Sequence, residues 1–167
     1  TGGIVLKGFG GGWRDRWPSQ LQSLLPADAP MRRIPLHIAG DRLLGGLDLG
    51  ATLAARRPVL QEGCLAQADQ GFVVLASAER LAPETCSRLI AVMDRREVVL
   101  ERDAMACRSP ASFGVIALDE GLEGDDCPTV ALQDRLAFRV EGAALDDRAP
   151  LPCTSHEIAR ARSILPA

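Results

Sequence analysis

Apolar and polar positions in this chain follow two alternating rhythms. Gly3 to Lys7 is an apolar run of strand length, and Gly71-Phe-Val-Val-Leu-Ala76 and Phe113 to Leu118 are nearly unbroken apolar runs rich in β-branched residues. That is the pattern of strands covered on both faces of a parallel sheet. Arg32 to Ile38 alternates and reads as another strand, and Leu136 to Val140 as a shorter one. Between them the period lengthens. Arg14 to Leu25 places Trp17, Leu21, Leu24 and Leu25 on one helical face, with Pro18 in or beside the first turn. Gly40 to Leu49 reads as a turn opening into a helix over Leu47 to Arg56. The clearest amphipathic helix opens at Pro83 and Glu84 and continues through Cys86, Leu89, Ile90 and Met93 at i, i+3, i+4 and i+7. Glu97 to Leu100 and Met105 to Arg108 flank Glu101-Arg-Asp-Ala104 as a hairpin. Strands alternating with helices predict an α/β fold with a mostly parallel sheet and one inserted β-hairpin over 1–140. The polar, proline-containing stretch 141–153 reads as a linker, and 154–167 as the start of a helical region with Thr154 and Glu157 as its capping box.

Composition narrows the function classes. In 167 residues, 47% are hydrophobic and 25% charged, which suits one globular domain, and no apolar run reaches the length of a membrane span. The net charge of -3, with arginines scattered among acids, carries no electrostatic footprint for nucleic acid. Five widely spaced cysteines without a C-x-x-C, and only His37 and His156 beside them, exclude a zinc site and read as reduced thiols, most of them small core hydrophobes. The start at Thr1 and the helix-like end read as an excised piece of a longer chain. Asp119, Glu120, Glu123, Asp125 and Asp126 read as a solvated acidic loop rather than a metal site, since neither histidine nor calcium-loop spacing accompanies them. His37 reads as a strand residue and His156 as a first-turn polar residue, and neither has a partner for a hydrolase triad. Asp41 and Arg42 read as bracing the turn before the Leu47 helix.

The candidate chemistry lies at the start. Gly3 to Trp17 runs from strand through a glycine-rich turn into a helix, the layout whose backbone N–H groups cradle polyphosphate. The candidate binding residues are Gly8, Gly10, Gly11, Gly12, Arg14 and Asp15. With Gly8 as the first glycine of G-x-x-x-x-G-K-[ST], however, Trp13 occupies the second glycine position, Arg14 the lysine and Asp15 the magnesium-binding hydroxyl. A loop so altered binds nucleotide weakly or not at all. A dinucleotide fingerprint fits worse: Trp13 stands at its third glycine, and the nearest acid about 20 residues on, Asp28, lies in a proline-flanked loop.

Four stretches in order resemble the AAA+ module of magnesium chelatase, specifically its D subunit, within the MoxR-like clade. They are Gly8 to Asp15, Asp41 to Asp48, Arg57 to Leu75, and Leu132-Gln-Asp-Arg-Leu-Ala-Phe138. The resemblance implies a three-layer P-loop AAA+ large subdomain, with 154–167 starting a truncated lid. In active relatives the strand matching Gly71 to Ala76 ends in Asp-Glu, which holds Mg²⁺ and orients water; here Ala76 and Ser77 stand there. Leu118-Asp-Glu-Gly121 replaces an Asn-containing sensor turn. Asp134-Arg135 matches the motif whose arginine enters a neighbour's ATP site, so the resemblance implies a catalytic role in trans for Arg135. On pattern alone Arg135 is a helix-end arginine in a surface salt bridge. The resemblance implies a non-hydrolysing subunit with no tightly bound cofactor, ATP and Mg²⁺ being held by the partner. That partner is the ATPase I subunit, in a hetero-oligomeric ring that also serves the porphyrin-binding H subunit. The reaction would insert Mg²⁺ into protoporphyrin IX for chlorophyll or bacteriochlorophyll synthesis, in a bacterial cytoplasm or a plastid stroma. A divergent MoxR-like ATPase with its own turnover is the alternative.

Overall fold

The computed structural model describes residues 2–8, 13–102, 105–121 and 127–142, with backbone alone for 13–16, 102 and 105. Five parallel strands form the central sheet: β1 (Gly3–Lys7), β2 (Met31–Ile34), β5 (Phe72–Leu75), β8 (Gly114–Asp119) and β9 (Phe138–Glu141), in the spatial order β2-β5-β8-β1-β9. Two antiparallel strand pairs lie outside it, β3 (Gly45–Leu47) with β4 (Leu60–Glu62) and the hairpin β6 (Glu97–Arg102) with β7 (Met105–Pro110). The helices are α1 (Trp13–Leu24), α2 (Gly40–Leu44), α3 (Leu49–Ala55), α4 (Pro83–Arg95) and α5 (Val130–Gln133).

The period-two alternation of the buried strands divides their side chains between two layers. Val5, Val73, Leu75, Val115 and Ala117 point to a face covered by Leu43 of α2, Leu89 and Val92 of α4, and Leu132 of α5. Leu6, Val74, Ile116 and Leu118 point to the other, where Trp17 and Leu21 of α1 pack. Each strand therefore needs apolar residues at consecutive positions, which is why these segments read as continuous apolar runs.

The structure corrects several boundaries. β2 ends at Ile34 rather than reaching Ile38, because Pro35 has no N–H to donate and the chain turns over Leu36 and His37. His37 is thus an exposed turn residue, not a strand residue. The stretch read as a turn before Leu47 is a helix, α2, with Asp41 in its first turn, where its carboxylate accepts the Arg42 N–H at 2.9 Å. Gly45 to Leu47 is then a strand, and the following helix starts at Leu49, capped by Asp48, whose carboxylate accepts the Ala51 N–H at 2.9 Å. The expected hairpin is β6 with β7, and a second antiparallel pair, β3 with β4, is joined through α3. Pro18 falls in the second turn of α1, opposite the Arg14 carbonyl, because the helix begins at Trp13. Among the four described cysteines, all free, Cys86 is buried whereas Cys127 is exposed. The stretch read as linker and terminal helix lies, from residue 143 on, outside the described residues.

The excursion β3-α3-β4 stands off the domain. α3 has no buried residue, and its Leu49 and Leu53, one turn apart, are 68% and 79% exposed. Leu89, by contrast, is fully buried at the centre of α4. Leu89→Ala is expected to cost about 2–5 kcal/mol in chemical denaturation, and Leu53→Ala to stay within about 0.5 kcal/mol. Equal losses would show that α3 packs as a core helix.

Candidate functional site

Strand order places a crevice where a ligand belongs in an open α/β sheet. β1 sends its connection through α1 toward β2 at one edge, while its neighbour β8 sends its own through α5 to β9 at the other edge, on the opposite face. At such a switch point the carboxyl ends of the strands diverge. Gly8 sits there, at the end of β1, with φ +73° and open space where a Cβ would be, and its N–H donates to the Asp119 carbonyl at 3.0 Å. The helix α1 begins at Trp13, so Arg14 and Asp15 lie in its first turn. Gly10, Gly11 and Gly12, and the side chains of Arg14 and Asp15, lie outside what is described.

Acids gather just past the carboxyl ends of β5 and β8, and each makes at least one bond within the protein. Asp119, the last residue of β8, is 1% exposed, which corrects the expectation of a solvated acid at this position; Glu123, Asp125 and Asp126 lie outside the described residues. Its Oδ1 accepts the Gly121 N–H at 3.0 Å, and its Oδ2 has no hydrogen-bond partner among the described residues. Glu79, whose side chain is 1% exposed, accepts the Glu120 N–H through Oε2 at 3.2 Å. Ser77, held in a left-handed conformation at φ 54°, donates its hydroxyl to Glu120 Oε2 at 3.2 Å. Ala76 and Ser77 follow directly on β5, where phosphoryl transfer needs carboxylates to hold a metal and a water. A methyl and a hydroxyl already donated to Glu120 do not supply them. Among the described residues no group of three or more His, Cys, Asp or Glu is placed to hold a metal ion.

Arg135 lies at the other end of the sheet. It follows α5, and its backbone carbonyl presses on Gly2, where a Cβ would fall 1.7 Å from that oxygen. Gly2 precedes the five residues of β1 and Gly8 follows them, so six steps of extended chain, roughly 20 Å at about 3.3 Å per residue, separate Gly2, where the arginine's backbone sits, from Gly8. Its guanidinium grips Asp94, near the end of α4, by two bonds, Nε to Oδ1 at 2.8 Å and Nη2 to Oδ2 at 2.7 Å, and Nη1 donates to the Ala131 carbonyl at 2.8 Å. The hydrogen bond from Arg135 holds the Asp94 carboxyl below its ordinary range, and the same bond raises the guanidinium's own value. The Arg135 side chain remains 34% exposed.

Sequence reasoning missed Glu79 and Asp94. An acid four positions past the end of a buried strand was a usable signal for Glu79. None existed for Asp94, whose partner is 41 residues away. Glu101 is exposed, one residue before the end of β6, and Asp103 lies outside the described residues. No helix among the described residues is long and apolar enough to cross a membrane.

No family model matches the chain. It is 35% identical over 167 residues to the magnesium-chelatase 60 kDa subunit of Cereibacter sphaeroides, covering 99% of this chain and 26% of that one. It is 30% identical over 146 residues to the 67 kDa subunit of Chlorobaculum parvum, covering 87% and 23%. The magnesium-chelatase 38 kDa subunit of Rhodobacter capsulatus is 29% identical over 126 residues, 75% of this chain and 35% of that subunit. Among solved structures, a chain of the complex between subunits BchI and BchD of magnesium chelatase superposes with a TM-score of 0.65 and 23% identity, over 99% of this chain and 60% of the other, and confirms the fold. The chain spans about a quarter of the length of the 60 and 67 kDa relatives. Over that span it is a homologue of the magnesium-chelatase 60 and 67 kDa subunits.

Proposed function

We propose that this chain is part of a non-hydrolysing AAA+ subunit of magnesium chelatase, which assembles into a ring with the ATPase I subunit and supplies Arg135 to ATP held by that partner. The assembly would act with the porphyrin-binding H subunit to insert Mg²⁺ into protoporphyrin IX, in a bacterial cytoplasm. The observation that carries this reading is the separation along β1. Gly8 ends β1 on the rim where Ala76 and Ser77 follow β5, while the arginine sits at the opposite end of the strand with its side chain partly exposed. An arginine so placed serves a phosphoryl group on another chain or none.

Magnitudes support weak binding at the chain's own turn. A helix N-terminus gives an anion about 0.3–1 kcal/mol, up to about 2 in a partly buried site. A carboxylate about 4 Å from a phosphoryl oxygen, with no metal between them, costs about 4 kcal/mol at an effective dielectric of about 20. The penalty exceeds the gain. Catalysis in trans needs only the charge of the guanidinium, worth about 10³ to 10⁵ in rate where an arginine finger is present.

Arg135→Ala in the full-length protein is expected to leave assembly with the 38 kDa-type subunit intact and to lower the ATPase and chelatase rates of the mixed complex by at least about tenfold, a conservative fraction of a finger's worth. Unchanged rates at stoichiometric mixing would remove Arg135 from the mechanism. Titration of a fluorescent ATP analogue with Mg²⁺ into this chain alone is expected to show no saturation through the micromolar range; tight saturable binding, with turnover by the isolated protein, would establish instead an ATPase working with substitute residues.

A further inference from the structure

The Arg135 guanidinium is already oriented before any partner arrives. Asp94 takes its Nε and Nη2 edge in a two-bond fork at 2.8 and 2.7 Å, and the Ala131 carbonyl takes Nη1 at 2.8 Å. Of the five N–H donors of a guanidinium, two remain without a partner among the described residues, on a side chain that is partly open to solvent. The backbone is fixed as well, since the Arg135 carbonyl seats on Gly2 at the foot of β1. Both the root and the near edge of the side chain are therefore held, and the outer edge is left to face outward.

Such a pair is a poor device for holding the fold together. Asp94 is half exposed, and solvent-exposed ion pairs contribute little to stability. Its geometry, on the other hand, is of the planar forked kind that fixes direction. An arginine that must stabilise charge on a transferring phosphoryl group gains most when its orientation is set in advance rather than found at the moment of reaction. We propose that Asp94 is a positioning residue for Arg135, gripping the inner edge of the guanidinium so that the outer donors meet a phosphoryl oxygen on a neighbouring chain; this rests on the function proposed above. Asp134, next in sequence, adds negative charge near the guanidinium, but the guanidinium donates its hydrogen bonds to Asp94 and the Ala131 carbonyl, so direction is Asp94's to set.

The test uses the full-length protein mixed with an active 38 kDa-type subunit, reading the ATPase activity that this chain adds. Asp94→Ala is expected to lower that added kcat by about 10²-fold, the scale of a 1 Å misplacement, with KM for ATP and the amount of assembled complex unchanged. Asp94→Glu, which restores the fork on a longer stem, is expected to recover part of the loss. The exchange variant Asp94→Arg with Arg135→Asp keeps an ion pair between α4 and the α5 turn; it is expected to melt at the wild-type temperature and still lack the added activity. Wild-type kcat in Asp94→Ala, under conditions where Arg135→Ala loses it, would overturn the positioning role and leave the function standing. A loss in Asp94→Ala accounted for by fewer assembled complexes, or activity regained by the exchange variant, would equally overturn it by showing a structural pair. If Arg135→Ala itself keeps full activity, the function fails first and the positioning role falls with it.

Discussion

A parallel sheet has two chemically different ends, and the length of β1 keeps them apart. Every strand of this sheet runs the same way, so the turns at the carboxyl ends share one rim and those at the amino ends share the other. Gly8 opens on the first rim and Arg135 stands at the second, pressed against Gly2. No side chain closes a gap of roughly 20 Å, as the rise of about 3.3 Å per residue requires here. The division of labour proposed for this chain follows from that separation: whatever Arg135 does to a phosphoryl group, it does on a different polypeptide.

The carboxyl-end rim has kept its shape and changed its chemistry. Gly8 takes a left-handed conformation at the end of β1, and its N–H bonds to the β8 backbone. The acids below it serve the protein's own N–H and hydroxyl groups: Asp119 holds Gly121, Glu79 holds Glu120, and Glu120 receives Ser77. These bonds tie the residues that follow β5 to those that follow β8, while the buried Asp119 Oδ2 and Glu79 Oε1 have no hydrogen-bond partner among the described residues.

The parts legible in the sequence were those fixed by local pattern. The buried strands β1, β5 and β8 announced themselves because both faces are covered, and α4 because its apolar positions recur one turn apart. Replacement of the acids after β5 by Ala76 and Ser77 was equally visible. What stayed hidden depends on contacts distant in sequence or on short elements. Gly45 to Leu47 is too short and glycine-rich to read as a strand, and pairs only because β4 meets it in register. Asp119 looked like part of a solvated acidic run, and only its place at the end of a central strand buries it. The Asp94 and Arg135 pair joins two elements 41 residues apart, and no periodicity reports such a contact. Leu49 and Leu53 fit a core-facing helix by spacing, yet α3 lies on an excursion that leaves them exposed.

The most direct measurement locates nucleotide within the mixed assembly. Photolabelling the complex of full-length protein and active 38 kDa-type subunit with an azido-ATP analogue, followed by peptide mapping, reports which chain holds the base. This account predicts label on the ATPase subunit and none on the peptide from Gly3 to Trp17 of this chain. Stoichiometric label on that peptide, lost on competition with ATP, would contradict it.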